Sequence, residues 1–365
     1  MDNNFFQHWQ SGMPWLADRT IFVTMHGSRA YGTSTPTSDT DYKGVAIPPK
    51  EYFLGFHKKF EQAECSKPID AVIFEIRKFF SLAADCNPNI IEVLHTDPSD
   101  WVLCTPLAQK MVEHKADFIS KKAKFTFSGY AISQLKRINT HRRWLLNPIE
   151  SPPKREDYGL PERSLMPRDQ LMAAESLIKK RIEEWELDLE PVPPDVRIAV
   201  MNRIERMLVD ISVVANLKKE DLVWRAAAEL VGVDQNFIDY LDRDRRYRSK
   251  MQEWKQYQDW KKNRNPARAE LEAKFGADMK HASHLVRLMR MCREILENKG
   301  VIVKRPDAAE LLEIRNGSWT YEKLVEWADA EDKALDELYK TSALPREPNR
   351  AKLDQVCMEI VEASF

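Results

Sequence analysis

Two aspartates spaced two apart, Asp39 and Asp41, follow a strand-like run that ends in Gly27-Ser28, and this is the part of the chain whose residue types best suit chemistry. Residues 21–25, Ile-Phe-Val-Thr-Met, are β-branched or apolar and stop at Gly27, which predicts a strand, a turn and a helix start. A helix that begins at Gly-Ser leaves backbone N–H groups and a partial positive charge facing outward, an arrangement suited to phosphate. Ser28 adds a hydroxyl, and Gly27 lets a phosphate approach the backbone without meeting a Cβ.

A second strand is predicted over residues 40–47, before Pro48-Pro49. Alternation along it projects Asp39 and Asp41 from one face, with Cα atoms roughly 6.5 Å apart. Two carboxylates so placed repel unless a cation lies between them. A hard divalent ion shared with substrate phosphates removes that conflict, and Mg²⁺ is the usual occupant of such a mixed site. Asp70, set among Ile69, Val72 and Ile73 in a third strand candidate (69–74), is the expected third carboxylate. Glu75 is the alternative, although as a helix-start Glu it has a capping role available. A calcium loop also opens Asp-x-Asp, but Lys43 and Lys50 stand where its fifth and twelfth ligands belong, and that reading fails.

The elements that must hold these residues divide unequally. At 365 residues, with 43% apolar and 31% charged side chains and only 11 glycines, the chain exceeds the usual size of a single core and favours long helices over a turn-rich β fold. Alternating patterns fill the first third. Beyond about residue 115 a 3.6-residue period takes over, with helices expected at 116–146, 169–187, 195–217, 221–231, around Trp254, at 278–298, and three shorter ones after Asp307. Pro-rich loops interrupt them at 147–167 and 191–194. The expected class is α+β: a head of small mixed sheet and helices at residues 1–115 that carries the Asp cluster, then an all-helical domain at 116–365.

Other features exclude classes of function. Fifty-six basic residues nearly balance 57 acidic ones, so any nucleic acid must meet a local patch. The five cysteines are odd in number and form no CxxC pair, which suggests reduced thiols in a cytoplasmic protein. No targeting segment or membrane span is expected. On the helix predicted at 278–298, Lys280, His284 and Arg287 form one stripe, available to phosphates or simply solvated, while His281 points with Leu285, Leu288 and Cys292 toward the core. Residues 243–264 alternate basic and aromatic side chains that suit single strands or a buried helix face. Lys121, Lys122, Lys124, Lys136, Arg137, Arg142 and Arg143 make a stronger basic surface.

Gly27-Ser28 with Ser38-Asp39-Thr40-Asp41 resembles the signature of the DNA polymerase β-like nucleotidyltransferase superfamily. More narrowly, Gly27-Ser28-Arg29-Ala30-Tyr31-Gly32, the run 38–45, Asn87-Pro88-Asn89 with Glu92, and the run 280–287 resemble the predicted nucleotidyltransferases associated with RNA repair. The resemblance implies a polymerase β-like head. It implies that Gly27, Ser28 and neighbouring Arg29 hold a nucleoside triphosphate such as ATP, with Lys280, His284 and Arg287 as further nucleotide contacts. Asp39, Asp41 and Asp70 would be catalytic residues and ligands of two Mg²⁺ (or Mn²⁺) ions. The expected reaction moves a nucleoside monophosphate to an acceptor with release of pyrophosphate. An RNA 3′ end, a protein side chain or a small molecule could accept it, and the resemblance favours RNA. The competing expectation is a non-catalytic nucleotide-sensing or RNA-binding module on the same fold.

Overall fold

The computed structural model describes residue 6 and residues 13–66, 69–164, 166–184, 219–231, 234–264, 272 and 274–365. The helix expected at 195–217 and the Pro-rich stretch 191–194 lie outside them.

A one-turn helix α1 (Leu16–Arg19) leads into β1 (Thr20–His26), which runs into α2 (Gly27–Ala30). After the loop come β2 (Asp41–Ala46), α3 (Glu51–Leu54), β3 (Gln62–Cys65), β4 (Asp70–Glu75), α4 (Ile76–Ala84), α5 (Pro88–Leu94), β5 (Trp101–Cys104) and α6 (Pro106–Glu113). The sheet order is β3-β4-β2-β1-β5. β2 lies parallel to β4, and the other three pairings are antiparallel. The three expected strands form within a residue or two of their expected limits. β3 and β5, four residues each, carry too short an alternation to stand out.

Strand periodicity divides the sheet's two faces. Phe22 and Val45 join the large core with α4, α5 and the later helices, while Val23, Ala46 and Ile73 pack with Leu16 on the other side. Glu75 is the N-cap of α4, accepting from the Lys78 N–H at 3.0 Å. Asn87 does the same for α5, with Pro88 at its first position, where a missing N–H costs nothing.

The helical part continues with α7 (Gly129–Leu146), α8 (Arg168–Glu184), α9 (Lys219–Leu230), α10 (Gln235–Asn263), α11 (Met279–Leu296), α12 (Ala308–Arg315), α13 (Tyr321–Thr341) and α14 (Arg350–Glu362). The single helix expected over 116–146 is broken: a 3₁₀ turn covers Lys115–Phe118, and a π turn, Lys124–Ser128, leads into α7. Trp254 belongs to the 29-residue α10, and among the three later helices α13 has 21 residues.

Two compact units result: Met1–Asn147 with Asn265–Phe365, and Pro148–Arg264. This partition differs from a division at residue 115. The reason is α11, apolar on most of its circumference: Leu285, Leu288, Met289 and Ile295 share one core with Phe22 and Phe79 of the head, so the first unit closes only when the chain returns. In the second unit α8, α9 and α10 pack through Leu171, Ile178, Trp224, Ile238 and Leu241.

Candidate active site

β1 delivers the chain to Gly27, whose φ of +67° is left-handed. A Cβ there would lie 2.0 Å from Asp41 Oδ2. The glycine therefore makes room first for the neighbouring strand's carboxylate, a tighter demand than the approach of a phosphate. α2 is only four residues long, so its macrodipole is slight and any anion it favours would be held by local N–H groups and the Ser28 hydroxyl.

Asp41 opens β2. It sits in register with His26 of β1 on one side and with Asp70 of β4 on the other. Asp39 lies two residues earlier, in the loop before the strand. Arg29 shapes that loop, donating from Nη2 to the Ser38 carbonyl at 2.9 Å and from Nε to the Asp39 carbonyl at 3.3 Å. Arg29 thus braces the loop that carries Asp39.

Gly27, Ser28, Asp39, Asp41 and Asp70 all face a cavity of about 530 Å³, whose opposite wall is made by α7 and α11. Asp39 and Asp70 are exposed and Asp41 is half-buried, so Asp70 is not the buried carboxylate its apolar neighbours suggested. Burial, Asp39 and Asp70 together push the Asp41 carboxyl above its ordinary value, while Lys280 and Lys43 pull the other way. Glu75 stands apart at the far end of β4, buried, capping α4 and paired with Arg77 at 2.8 Å.

From α11, Lys280, His281, His284 and Arg287 reach the cavity wall. His281 is not a core residue. It is half-buried, and its Nδ1 meets Asp278 Oδ2 at 2.7 Å, because Asp278 caps the helix three residues earlier. Arg287 is not a solvated cation of the stripe: it is 3% exposed, with Nη1 donating to Glu92 Oε1 at 2.5 Å and its guanidinium 3.7 Å above the Tyr31 ring. His284 Nδ1 accepts from Arg287 Nη2 at 3.0 Å. Burial and the adjacent guanidinium lower the His284 pKa to about 3, so it is a neutral imidazole.

Glu92, 1% exposed, is the centre that residue spacing did not single out. The Tyr31 hydroxyl donates to its Oε2 at 2.5 Å, and His26 Nε2 lies 3.4 Å away without an aligned hydrogen bond. Burial alone would raise this carboxyl, but Arg287, His26 and Tyr31 hold it far below the usual carboxylate range. Burial and then Lys43 lower His26 to about 4. Lys43 is lowered too, chiefly by burial, although Glu92 and Asp41 oppose this. The Asn-Pro-Asn run with Glu92 was visible in the sequence, but only the pairing with Arg287, 195 positions away, gives it a role.

The basic surfaces are largely spent within the chain. Lys124 is buried between Asp332 and Asp336, Lys122 lies between Asp85 and Glu347, and Arg142 pairs with Glu322; Arg137 faces the cavity. In the run 243–264, Arg245 and Arg246 bind Asp242, Arg248 binds Asp244, and Tyr257 is buried. The basic and aromatic alternation there builds helix contacts within the second unit.

Comparison with known proteins agrees with this geometry. A family model described as the RNA repair pathway DNA polymerase beta family matches residues 7–148. An uncharacterized 38.9 kDa protein of the nrdC-mobD intergenic region of Enterobacteria phage T4 is 34% identical over 89 residues, 22% of this chain and 26% of that protein, so the likeness is confined to a segment. Protein YcgL of Bacillus subtilis is 23% identical over 212 residues, 52% of this chain and 80% of its own, a weaker but longer likeness. No solved structure matches. The glycine turn, the three carboxylates and Glu92 all lie inside residues 7–148, the span that is similar to the RNA repair pathway DNA polymerase beta family.

Proposed function

We propose that the protein is a metal-dependent nucleotidyltransferase that transfers a nucleoside monophosphate from a nucleoside triphosphate to an RNA acceptor and releases pyrophosphate. The observation that carries this reading is the convergence of Asp39, Asp41 and Asp70 on one cavity face beside Gly27-Ser28. Mutual repulsion at Asp41 makes the set a fit for cations, and the cavity has room for a triphosphate. Among the described residues, the one trio of His, Cys, Asp or Glu side chains with ligand atoms all within 4.8 Å is elsewhere. Asp39, Asp41 and Asp70 would hold the metal ions together with substrate phosphate oxygens, and the ions would supply charge neutralisation there.

Two Mg²⁺ or Mn²⁺ ions bound there would activate the acceptor hydroxyl and offset the charge of the leaving phosphates. The chain's own residues do the positioning. Arg29 holds the Asp39 loop, Gly27 admits the Asp41 carboxylate, and Ser28 offers its hydroxyl to a phosphate. Lys280, exposed at the start of α11, is the cation of the stripe placed to meet the triphosphate. The acceptor oxygen bonds to the α-phosphorus as the bond to pyrophosphate breaks, and the hydroxyl proton leaves toward solvent on the exposed side of Asp70. Arg287 and His284 act through Glu92 and each other, fixing the helical wall.

The test is incubation with each α-labelled triphosphate, Mg²⁺ or Mn²⁺, and RNA bearing a free 3′ hydroxyl. The expected result is label on the RNA and one pyrophosphate per nucleotide, both lost in Asp39→Asn and Asp41→Asn. Tight nucleotide binding with no pyrophosphate from RNA, protein or small-molecule acceptors would overturn this reading in favour of a sensing module.

A further inference from the structure

Away from the three carboxylates, one imidazole and two carboxyl groups converge behind the cavity's helical wall. His141 lies in the last two turns of α7, Asp278 is the N-cap of α11, and Glu272 stands just before it in the chain. One ligand atom from each lies within 4.8 Å of the other two. We propose that His141, Glu272 and Asp278 bind a divalent transition-metal ion of the Zn²⁺ type, which pins α7 to the start of α11.

The charge balance favours an ion. Glu272 and Asp278 are 3% and 4% exposed, and two carboxylates withdrawn from water need about two positive charges close by. The His281 Nδ1 meets Asp278 Oδ2 at 2.7 Å, and its Nε2 lies 3.4 Å from the Arg137 guanidinium. A divalent ion would match the charge of the carboxylate pair, with His141 ligating through a ring nitrogen.

The donor set also chooses the ion. Mg²⁺ and Ca²⁺ prefer all-oxygen sites, whereas one imidazole with two carboxylates suits Zn²⁺ and its neighbours. Three protein ligands leave a fourth position for water. Donor atoms of a tetrahedral site with bonds of about 2.0–2.2 Å sit closer together than 4.8 Å, so binding would draw the three side chains inward. Asp278 already accepts the His281 backbone N–H and Nδ1, which orients its carboxylate and leaves lone pairs for the ion. The functional consequence lies in what the two helices carry. α7 brings Tyr130, Gln134 and Arg137 to the cavity, and α11 brings Lys280, His281 and His284, so the ion would set the spacing of that wall.

The test uses the full chain, freed of metal with a chelator and titrated with Co²⁺ and then Zn²⁺ in excess Mg²⁺. The wild type should take up one equivalent of Co²⁺ with visible absorption, and Zn²⁺ should displace it and raise Tm. The signal should persist in Asp41→Asn and Asp70→Asn. It should vanish in His141→Ala, and Glu272→Gln should weaken binding by at least about tenfold, the loss that removal of even an outer-shell partner causes. If His141→Ala fails to fold, the near-isosteric Glu272→Gln decides alone. Absence of Co²⁺ uptake by the wild type, equal uptake by Glu272→Gln, or loss of the signal in Asp41→Asn would each overturn the proposal.

Discussion

Gly27 and Asp41 compete for the same space, so the identity of one residue governs the position of the other. Gly27→Ala is expected to cost about 1–2 kcal/mol from the left-handed backbone and, beyond that, to abolish turnover, because its Cβ displaces the carboxylate from 2.0 Å. Gly32→Ala is the control. Its φ is +74°, but a Cβ there meets only Ala308 at 3.6 Å, so it should lose similar stability and keep turnover. Equal loss of turnover in both would remove Gly27's special role. Asp70 and Glu75 separate in the same way. Asp70→Asn should eliminate transfer with little change in Tm. Glu75→Gln should lower stability by about 0.5–2 kcal/mol through the weakened cap, with transfer preserved. The reverse pattern in paired assays would make Glu75 the third ligand.

At the scale of elements, the Glu92–Arg287 pair joins α5 to α11, and the Tyr31 hydroxyl adds the end of α2. Every member is buried, so removing one partner leaves a charge without its counterpart. Arg287→Ala is therefore expected to destabilise the protein by about 3–5 kcal/mol in denaturant unfolding. A solvated arginine would lose almost nothing. Glu92→Leu combined with Arg287→Met should cost less than the sum of the single changes, since no charge is then stranded. Additive losses would show that the pair does not act as a unit. Because α11 also carries Lys280 and His284, the single variants should raise the apparent substrate dissociation constant as well.

For the whole molecule, three buried or nearly buried histidines set the response to acid. Burial lowers His26 and His95 from 6.5 to about 4, and burial with Arg287 lowers His284 from 6.5 to about 3. The unfolded chain binds these protons below pH 6.5 and the folded protein does not. Stability should thus be nearly flat above pH 7 and fall as pH drops from 6.5 toward 4, by roughly 1.4 kcal/mol per pH unit per histidine. Glu92 acts in a lower window. Its depressed carboxyl stabilises the fold above the unfolded carboxylate value and loses that contribution only in stronger acid. His95→Gln, remote from the carboxylates, should make the slope shallower between pH 6.5 and 4 without altering turnover, as urea titrations at several pH values would show. An unchanged slope would place the acid sensitivity elsewhere.

Local sequence determined the strand ending at Gly27, the Asp-x-Asp strand after it and the capping glutamate at α4, because each depends on neighbours a few residues apart. No helix among the described residues is long and apolar enough to cross a membrane. The tertiary structure decided what depends on distant partners. Arg29 became a loop staple because the Ser38 and Asp39 carbonyls turn back to it. Arg287 moved from solvent stripe to core because Glu92 lies 195 positions earlier, and His281 turned to the cavity because Asp278 caps its helix. The unit boundary moved for the same reason: α11 buries its apolar surface against the sheet's own core, and periodicity can tell that a helix face is apolar but not which surface will cover it.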